Sequence, residues 1–355
     1  MVTRYVIPCR PPLWARGGQA QTLLGFLLPS PGGVLAGAAE GVERREVPLA
    51  DGDKIVTFDA EPIRLPLNRG TRPLEGAVVH LFHGLTGSSE SNYMRATGAV
   101  LRHAGARVVA FNHRGQGPGA GLARGFYHSG SDLDLFASVA AARELYPGAH
   151  HVVVGFSLSA NTLLLGLHRR PSHPGAPDAV LAVNPPADLS AAVDRIDAGF
   201  NRLYDRRFVR GMREALRTRR VNGWVPEGLQ IPPGASVREA DDAVTAPEAG
   251  YPSADAYYAD CSAAPRLADI RQPVVILSAA DDPFIDPVDL TRPGHGPRMF
   301  CHIEPTGGHL GYLAKGIDRG AVPDGGKASR WLGGAVLHYV QALLAQVRSP
   351  GHPVH

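Results

Sequence analysis

Three short stretches of this chain carry the residue types that nucleophilic chemistry needs. Gly155-Phe156-Ser157-Leu158-Ser159 follows the apolar run Val152-Val153-Val154. Asp281-Asp282-Pro283 lies just past a second apolar run, Val274 to Ser278, and Thr306-Gly307-Gly308-His309 follows a third, near Arg298 to Ile303. A serine hydroxyl is a poor nucleophile at neutral pH; it needs a base, usually a histidine held by a carboxylate. The chain order serine, acid, histidine is the one found where the serine sits on a strand-to-helix corner. At such a corner the hydroxyl stands clear of the sheet and the positive end of the helix faces the reacting carbonyl. Ser157 is the candidate nucleophile, Asp281 the acid and His309 the base.

Each assignment has a plainer rival. A serine before a helix is often a cap, but a buried valine strand and Gly155 in front of it favour the corner. Asp-Asp-Pro also reads as helix initiation. Asp282 suits the cap and Asp281 the acid, and the sequence leaves the choice between them open. Asp286-Pro287 repeats the capping pattern and reads as structural. Of the 15 histidines, His80, His103 and His113 read as surface or packing residues, whereas Gly307-Gly308 can turn His309 back over a sheet. Two backbone amides must also meet a developing oxyanion: Leu158, next to the nucleophile, and Leu85 in His83-Gly84-Leu85.

The elements around these stretches alternate. Val42 to Leu49 and Lys54 to Ala60 flank Asp51-Gly52-Asp53 as a hairpin. Further strands are expected at 76–83, 107–112, 150–156, 179–184, 273–279 and 298–303, with helices at 92–104, 132–145, 160–168 and 331–347. This spacing predicts an α/β fold with a doubly wound, mostly parallel sheet and an antiparallel edge hairpin. The stretch between the strands at 184 and 273 is too long for a crossover. It holds an arginine-rich helical run, Ile196 to Arg219, then a Pro/Gly-rich passage, and reads as a helical cap inserted over about 187–265. The expected layout is an N-terminal extension over 1–40, one domain over 41–348 and a frayed tail over 349–355.

Composition removes several function classes. With 44% apolar and 19% charged residues, 355 residues suit a soluble protein with a sizeable core. A net charge of +3 does not argue for nucleic acid. Arg114 to Gly121 is glycine-rich but matches a dinucleotide loop poorly, and Gly325-Gly326-Lys327 lacks phosphate-loop spacing. The three cysteines are far apart, and no His/Glu cluster has metal-ligand spacing. No cofactor is therefore expected. No signal peptide or transmembrane anchor is evident, and Leu23 to Leu28 is too short to span a bilayer. A cytoplasmic location follows as the default, with oligomeric state open.

Several markers occur together in order: Gly17-Gly18-Gln19-Ala20-Gln21-Thr22, His83-Gly84-Leu85-Thr86-Gly87-Ser88-Ser89, Asn112-His113-Arg114-Gly115, Gly155 to Asn161, Asp281-Asp282-Pro283-Phe284 and Gly307-Gly308-His309-Leu310-Gly311. In these the chain resembles the YheT-like α/β-hydrolases, relatives of abhydrolase-domain lipases and of plant embryogenesis-associated hydrolases. The resemblance spans about Pro11 to Gln346. It implies an α/β-hydrolase fold, Ser157, Asp281 and His309 as the triad, and cleavage of carboxylic esters or acylglycerols; the inserted cap suggests acyl chains of short to medium length. The same triad would serve acyl transfer to an alcohol. A non-catalytic binder of acyl ligands is the alternative from a different class. Two departures stand out: Ser159 replaces the usual elbow glycine, and Gln19 to Gln21 lacks a histidine common in relatives.

Overall fold

The computed structural model describes residues 2–29, 40–63, 72–292, 294–315 and 329–349. Along the chain come α1 (Gly18–Leu27), β1 (Val42–Pro48), β2 (Lys54–Ala60), β3 (Ala77–Phe82), α2 (Asn92–His103) and β4 (Arg107–Asn112). Then follow α3 (Asp132–Leu145), β5 (His150–Phe156), α4 (Leu158–Arg169) and β6 (Ala179–Val183). A long excursion contributes α5 (Leu189–Ile196), α6 (Arg202–Val221), α7 (Val237–Ala240), α8 (Ala246–Glu248) and α9 (Ala254–Cys261). The chain then rejoins the sheet through β7 (Val274–Ala279), α10 (Pro287–Thr291) and β8 (Met299–Glu304). Last come β9 (Leu313–Ala314), β10 (Ser329–Arg330) and α11 (Trp331–Arg348).

Eight strands form one sheet in the order β1-β2-β4-β3-β5-β6-β7-β8. From β4 to β8 every pairing is parallel; β1–β2 and β2–β4 are antiparallel. The expected doubly wound sheet with its edge hairpin is what forms. The central strands β3, β6 and β7 are buried at every residue, the signature of a sheet covered on both faces. β1 is different. Its charged VERREVP sequence leaves most of its residues exposed, and Pro48 closes it, which discourages edge pairing with another chain.

Alternation along the strands divides the core. Val79, Val154, Leu181 and Val275 face Met94 and Leu101 of α2 and Trp331 and Leu343 of α11. On the other face Phe82, Val153, Val180 and Ile276 pack with Leu135 of α3, Leu163 of α4 and Leu290 of α10. Between β6 and β7, a third cluster of Leu189, Val209, Val237 and Tyr258 joins helices α5, α6, α7 and α9 to Leu165 of α4.

Some elements depart from the sequence expectation. The arginine-rich run expected from Ile196 is continuously helical only from Arg202, because α5 ends at Ile196 and Gly199 at φ 52° turns the chain before α6. Helix α4 begins at Leu158 rather than 160, directly behind the candidate nucleophile. Helix α1 was not anticipated. Gly325-Gly326-Lys327 and the tail beyond Ser349 lie outside the described residues. Among the described residues no helix is long and apolar enough to cross a membrane.

Candidate active site

Ser157 sits between β5 and α4 at φ 54°, ψ −122°, a conformation that costs a non-glycine residue on the order of 1–3 kcal/mol. Its amide donates to Val183 O of β6 at 2.9 Å, which ties the turn to the sheet. Gly155 makes the corner possible. A Cβ there would stand 2.5 Å from Leu163 Cδ1 and 3.0 Å from Ala160 Cα. The other non-glycine residues with positive φ are Thr86, Asn184, Leu310 and Tyr312, among the described residues. All five lie within the loops at the carboxyl ends of the strands, where the candidate site residues gather. Strain of this kind persists only where surrounding structure over-determines it.

His309 Nε2 lies 2.8 Å from Ser157 Oγ, and His309 Nδ1 lies 2.9 Å from Asp282 Oδ2. The expectation that Asp281 orients the histidine does not hold. Helix α10 starts only at Pro287, capped by Asp286, whose Oδ1 accepts from Val288 N. Asp282 is therefore not a helix cap and turns inward instead. Its Oδ1 accepts from the amides of Phe284 (2.8 Å) and Ile285 (3.3 Å), and its Oδ2 also accepts from Asn184 Nδ2 (2.6 Å). The adjacent Asp281 points the other way, and its Oδ1 accepts from Gly307 N and Gly308 N, both at 2.8 Å. Burial raises the Asp281 pKa, with these two amides opposing the shift. One aspartate faces the imidazole; its neighbour holds the loop that carries it.

Other residues around the base escape a reading of local pattern. Asn184, at the end of β6, bridges Asp282 Oδ2 and Tyr312 Oη, which donates to Asn184 Oδ1 at 2.9 Å. Thr22 of α1 accepts from His309 N at 2.8 Å and donates to Gly18 O at 2.7 Å. Gln21 donates to Ala15 O and Leu313 O and accepts from Leu313 N, clamping the chain just beyond His309. A Cβ on Gly18 would lie 1.6 Å from Asp281 O, so only glycine lets α1 approach this closely. The Gly17 to Thr22 marker is thus a brace for the histidine loop. Thr22→Val keeps the volume but leaves the part-buried His309 amide without its acceptor, a cost of about 1–3 kcal/mol. The expected result is a fall in kcat with little change in KM on a soluble ester, measured by initial rates.

The loop that approaches Ser157 from β3 is pinned on both sides of Leu85. Gly84 N donates to Tyr93 Oη at 3.0 Å and Thr86 N to Tyr127 Oη at 2.6 Å. A Cβ on Gly84 would come within 2.9 Å of Ser157 Cβ, so this close approach requires glycine. Leu158 opens α4, and the first amides of a helix have no acceptor within it. Leu85 and Leu158 both line the cavity that contains Ser157 and His309.

Ser159 occupies the usual glycine position without opening the turn. Its hydroxyl donates to His83 O at 2.5 Å and lies 2.6 Å from His113 Nε2, which fits donation from that nitrogen. His83 Nδ1 meets Gly84 O at 2.8 Å, leaving Nε2 to accept from His113 N at 3.2 Å. Burial pushes the His83 pKa down to about 4 and His113 well below its ordinary value, so both rings are neutral at pH 7. His113 packs, as expected, but it packs against the elbow. Ser159→Gly removes this bridge between α4 and the loop before Leu85. It should lower unfolding stability by about 1–3 kcal/mol, read from the urea midpoint at unchanged slope.

Two cavities meet at Ser157. One of about 100 Å³ runs among α5, α6, α7 and α9, lined by Leu158, Leu189, Val193, Phe208, Val237 and Tyr258. The other, about 580 Å³, is lined by α1, the loop from Gly84 to Tyr93 and the start of α6. Phe284 borders both, and its ring centroid lies 4.7 Å from that of His309.

Residues 77–315 match the model of the alpha/beta hydrolase fold family. The chain is 31% identical over 238 residues to "Putative esterase YheT" of Escherichia coli (strain K12), covering 66% of this chain and 69% of that one. It is 28% identical to mouse (Mus musculus) phospholipase ABHD3 over 315 residues, 85% of this chain and 72% of the relative. The Pyrococcus furiosus esterase Pf2001 superposes with a TM-score of 0.53 at 16% identity, over 90% of this chain and 97% of that structure, a likeness of fold. By the family match, the close relative and the sheet that carries Ser157 on its elbow, this chain belongs to the α/β-hydrolase family, among its YheT-like members.

Proposed function

We propose that this protein is a serine hydrolase of carboxylic esters that works through an acyl-enzyme on Ser157. The observation that carries the reading is the unbroken line from Ser157 Oγ through His309 to Asp282, with contacts of 2.8 and 2.9 Å. Relatives named as an esterase and a phospholipase support the same class of substrate. His309 Nε2 takes the hydroxyl proton as Ser157 Oγ attacks the ester carbonyl, and Asp282 stabilises the imidazolium that forms. The Leu85 and Leu158 amides receive the oxyanion; each such donor is worth about 10²–10³ in rate. As the tetrahedral adduct collapses, the C–O bond to the alcohol breaks and His309 returns the proton to the leaving oxygen. Water, deprotonated by the same nitrogen, then cleaves the acyl-enzyme and restores the serine.

Two cavities joined at the nucleophile suit an ester, which must place an acyl group on one side of its carbonyl and an alcohol on the other. The substrate class is a short- to medium-chain acyl ester or acylglycerol, held in one domain whose segment between β6 and β7 acts as a cap. The test is a series of p-nitrophenyl esters of increasing acyl length, run beside a fluorophosphonate probe read by intact mass. A single adduct and saturable turnover are expected; a folded protein that forms no adduct and turns over no ester would overturn the reading.

A further inference from the structure

The larger cavity opens through a rim of exposed apolar side chains. Leu23, Phe26 and Leu27 of α1, Phe200 in the turn before α6 and Leu203 in its first turn all line it, together with Ser157 and His309. These five are between 37% and 60% exposed, where chance would scatter large apolar residues singly. The same rim is strongly basic. Helix α6 carries eight arginines against two acids, Asp205 and Glu214, a net charge of +6 on its 20 residues; Arg219 is buried, while Arg206, Arg207 and Arg210 are exposed near the mouth. The whole chain carries only +3, so this helix outweighs a net negative remainder.

The distribution around α6 is directional. Tyr204, Val209 and Leu216 turn inward, whereas Arg202, Leu203, Arg206, Arg207 and Arg210 are exposed. Positions three and four apart share a face of a helix, so Leu203 lies beside Arg206, Arg207 and Arg210. The Arg207 guanidinium lies 3.8 Å above the Phe26 ring, which joins α6 to α1 across the mouth. An apolar rim with arginines around it fits a surface that is anionic outside and hydrocarbon within. A second copy of this chain would bring two +6 helices together. Nucleic acid would use the arginines and leave exposed leucines without a partner.

We propose that this face docks on an anionic lipid surface, with the five apolar side chains entering the headgroup boundary and the α6 arginines meeting lipid phosphates and carboxylates. Docking stands on exposure and charge alone. That it delivers lipid esters into the cavity rests on the serine-hydrolase reading. Each arginine near an anionic bilayer contributes roughly fivefold to partitioning, and the attraction fades as salt rises.

The test is sedimentation of the full chain with vesicles of phosphatidylcholine alone or of equal parts phosphatidylcholine and phosphatidylserine. Binding to the mixed vesicles is expected, weaker at high salt, and equal for wild type and Ser157→Ala, so a failed triad leaves this result standing. Arg206→Gln with Arg210→Gln should bind about 30-fold less tightly and still hydrolyse a soluble short ester at the wild-type rate. Phe26→Ser with Leu203→Ser, checked for fold by circular dichroism, should lose about tenfold. Binding no better to mixed vesicles than to phosphatidylcholine would overturn the proposal. So would affinity untouched by either pair of substitutions. Retention of an oligonucleotide in place of vesicles, kept in full by the Phe26→Ser/Leu203→Ser protein, would assign the face to nucleic acid and equally overturn it.

Discussion

Ser157→Ala is expected to lower kcat on any accepted ester by on the order of 10⁵–10⁶ and to abolish the fluorophosphonate adduct. The size of the effect follows from the role. Without Oγ there is no acyl-enzyme, and only binding and the oxyanion amides remain to favour direct attack by water. Stability should move in the opposite direction or not at all. The turn holds φ 54° at this position whether or not the side chain carries a hydroxyl, and the hydroxyl meets His309 Nε2 at 2.8 Å. Alanine therefore removes one half-buried polar contact and leaves the backbone turn as it is. A folded Ser157→Ala protein that still hydrolyses esters at the wild-type rate would place the nucleophile elsewhere. Labelling of a different residue by the probe would do the same.

The two ends of the proton relay were visible as local pattern. Ser157 stands after a valine strand and Gly155, and His309 stands after two glycines, so the chemistry of the turn is written beside each residue. The parallel strands were equally legible, because burial on both faces requires uninterrupted runs such as Ala77–Phe82 and Val274–Ala279. The acid was not. Asp281 and Asp282 have one composition between them, and which carboxylate faces the imidazole depends on how the turn after β7 is twisted. The capping pattern pointed the wrong way because the helix begins at Pro287, not at Pro283.

Residues that brace the site from a distance leave no local trace. Thr22 and Asn184 reach His309 and Asp282 from elements 287 and 98 residues away in sequence. Helix α1 has a glycine-rich start and an exposed apolar side, so its amphipathic pattern is weak to the eye; its function as a brace is visible only where Gly18 meets Asp281. Ser159 is instructive in another way. The departure from the glycine pattern is accommodated, because the hydroxyl finds His83 O and His113 beside the turn. Part of the compensation comes from His113, which reads in the sequence as a surface or packing residue.

Asp282→Asn should cost on the order of 10⁴ in kcat, while Asp281→Asn should cost no more than about tenfold. The difference lies in the hydrogens that each carboxylate faces. Asp282 Oδ1 accepts two backbone amides, so an asparagine there must keep its carbonyl oxygen on that side. Its NH₂ group then faces Asn184 Nδ2 and His309 Nδ1, where Asp282 Oδ2 accepts from both. The clash with His309 is relieved if the imidazole moves its proton to Nε2 and offers Nδ1 as the acceptor, while Asn184 Nδ2 is left without its carboxylate acceptor. In that tautomer Nε2 cannot take the proton of Ser157, and the hydroxyl stays neutral. Asp281 presents no such conflict. The oxygen that accepts from Gly307 and Gly308 survives in asparagine, so the loop keeps its two anchors and loses only their charge assistance. Rates on one soluble ester, with the fluorophosphonate labelling rate as a second readout of serine activation, separate the two variants. Equal losses in both readouts would mean that Asp281 reaches the imidazole in the working enzyme, against the 2.9 Å contact made by its neighbour.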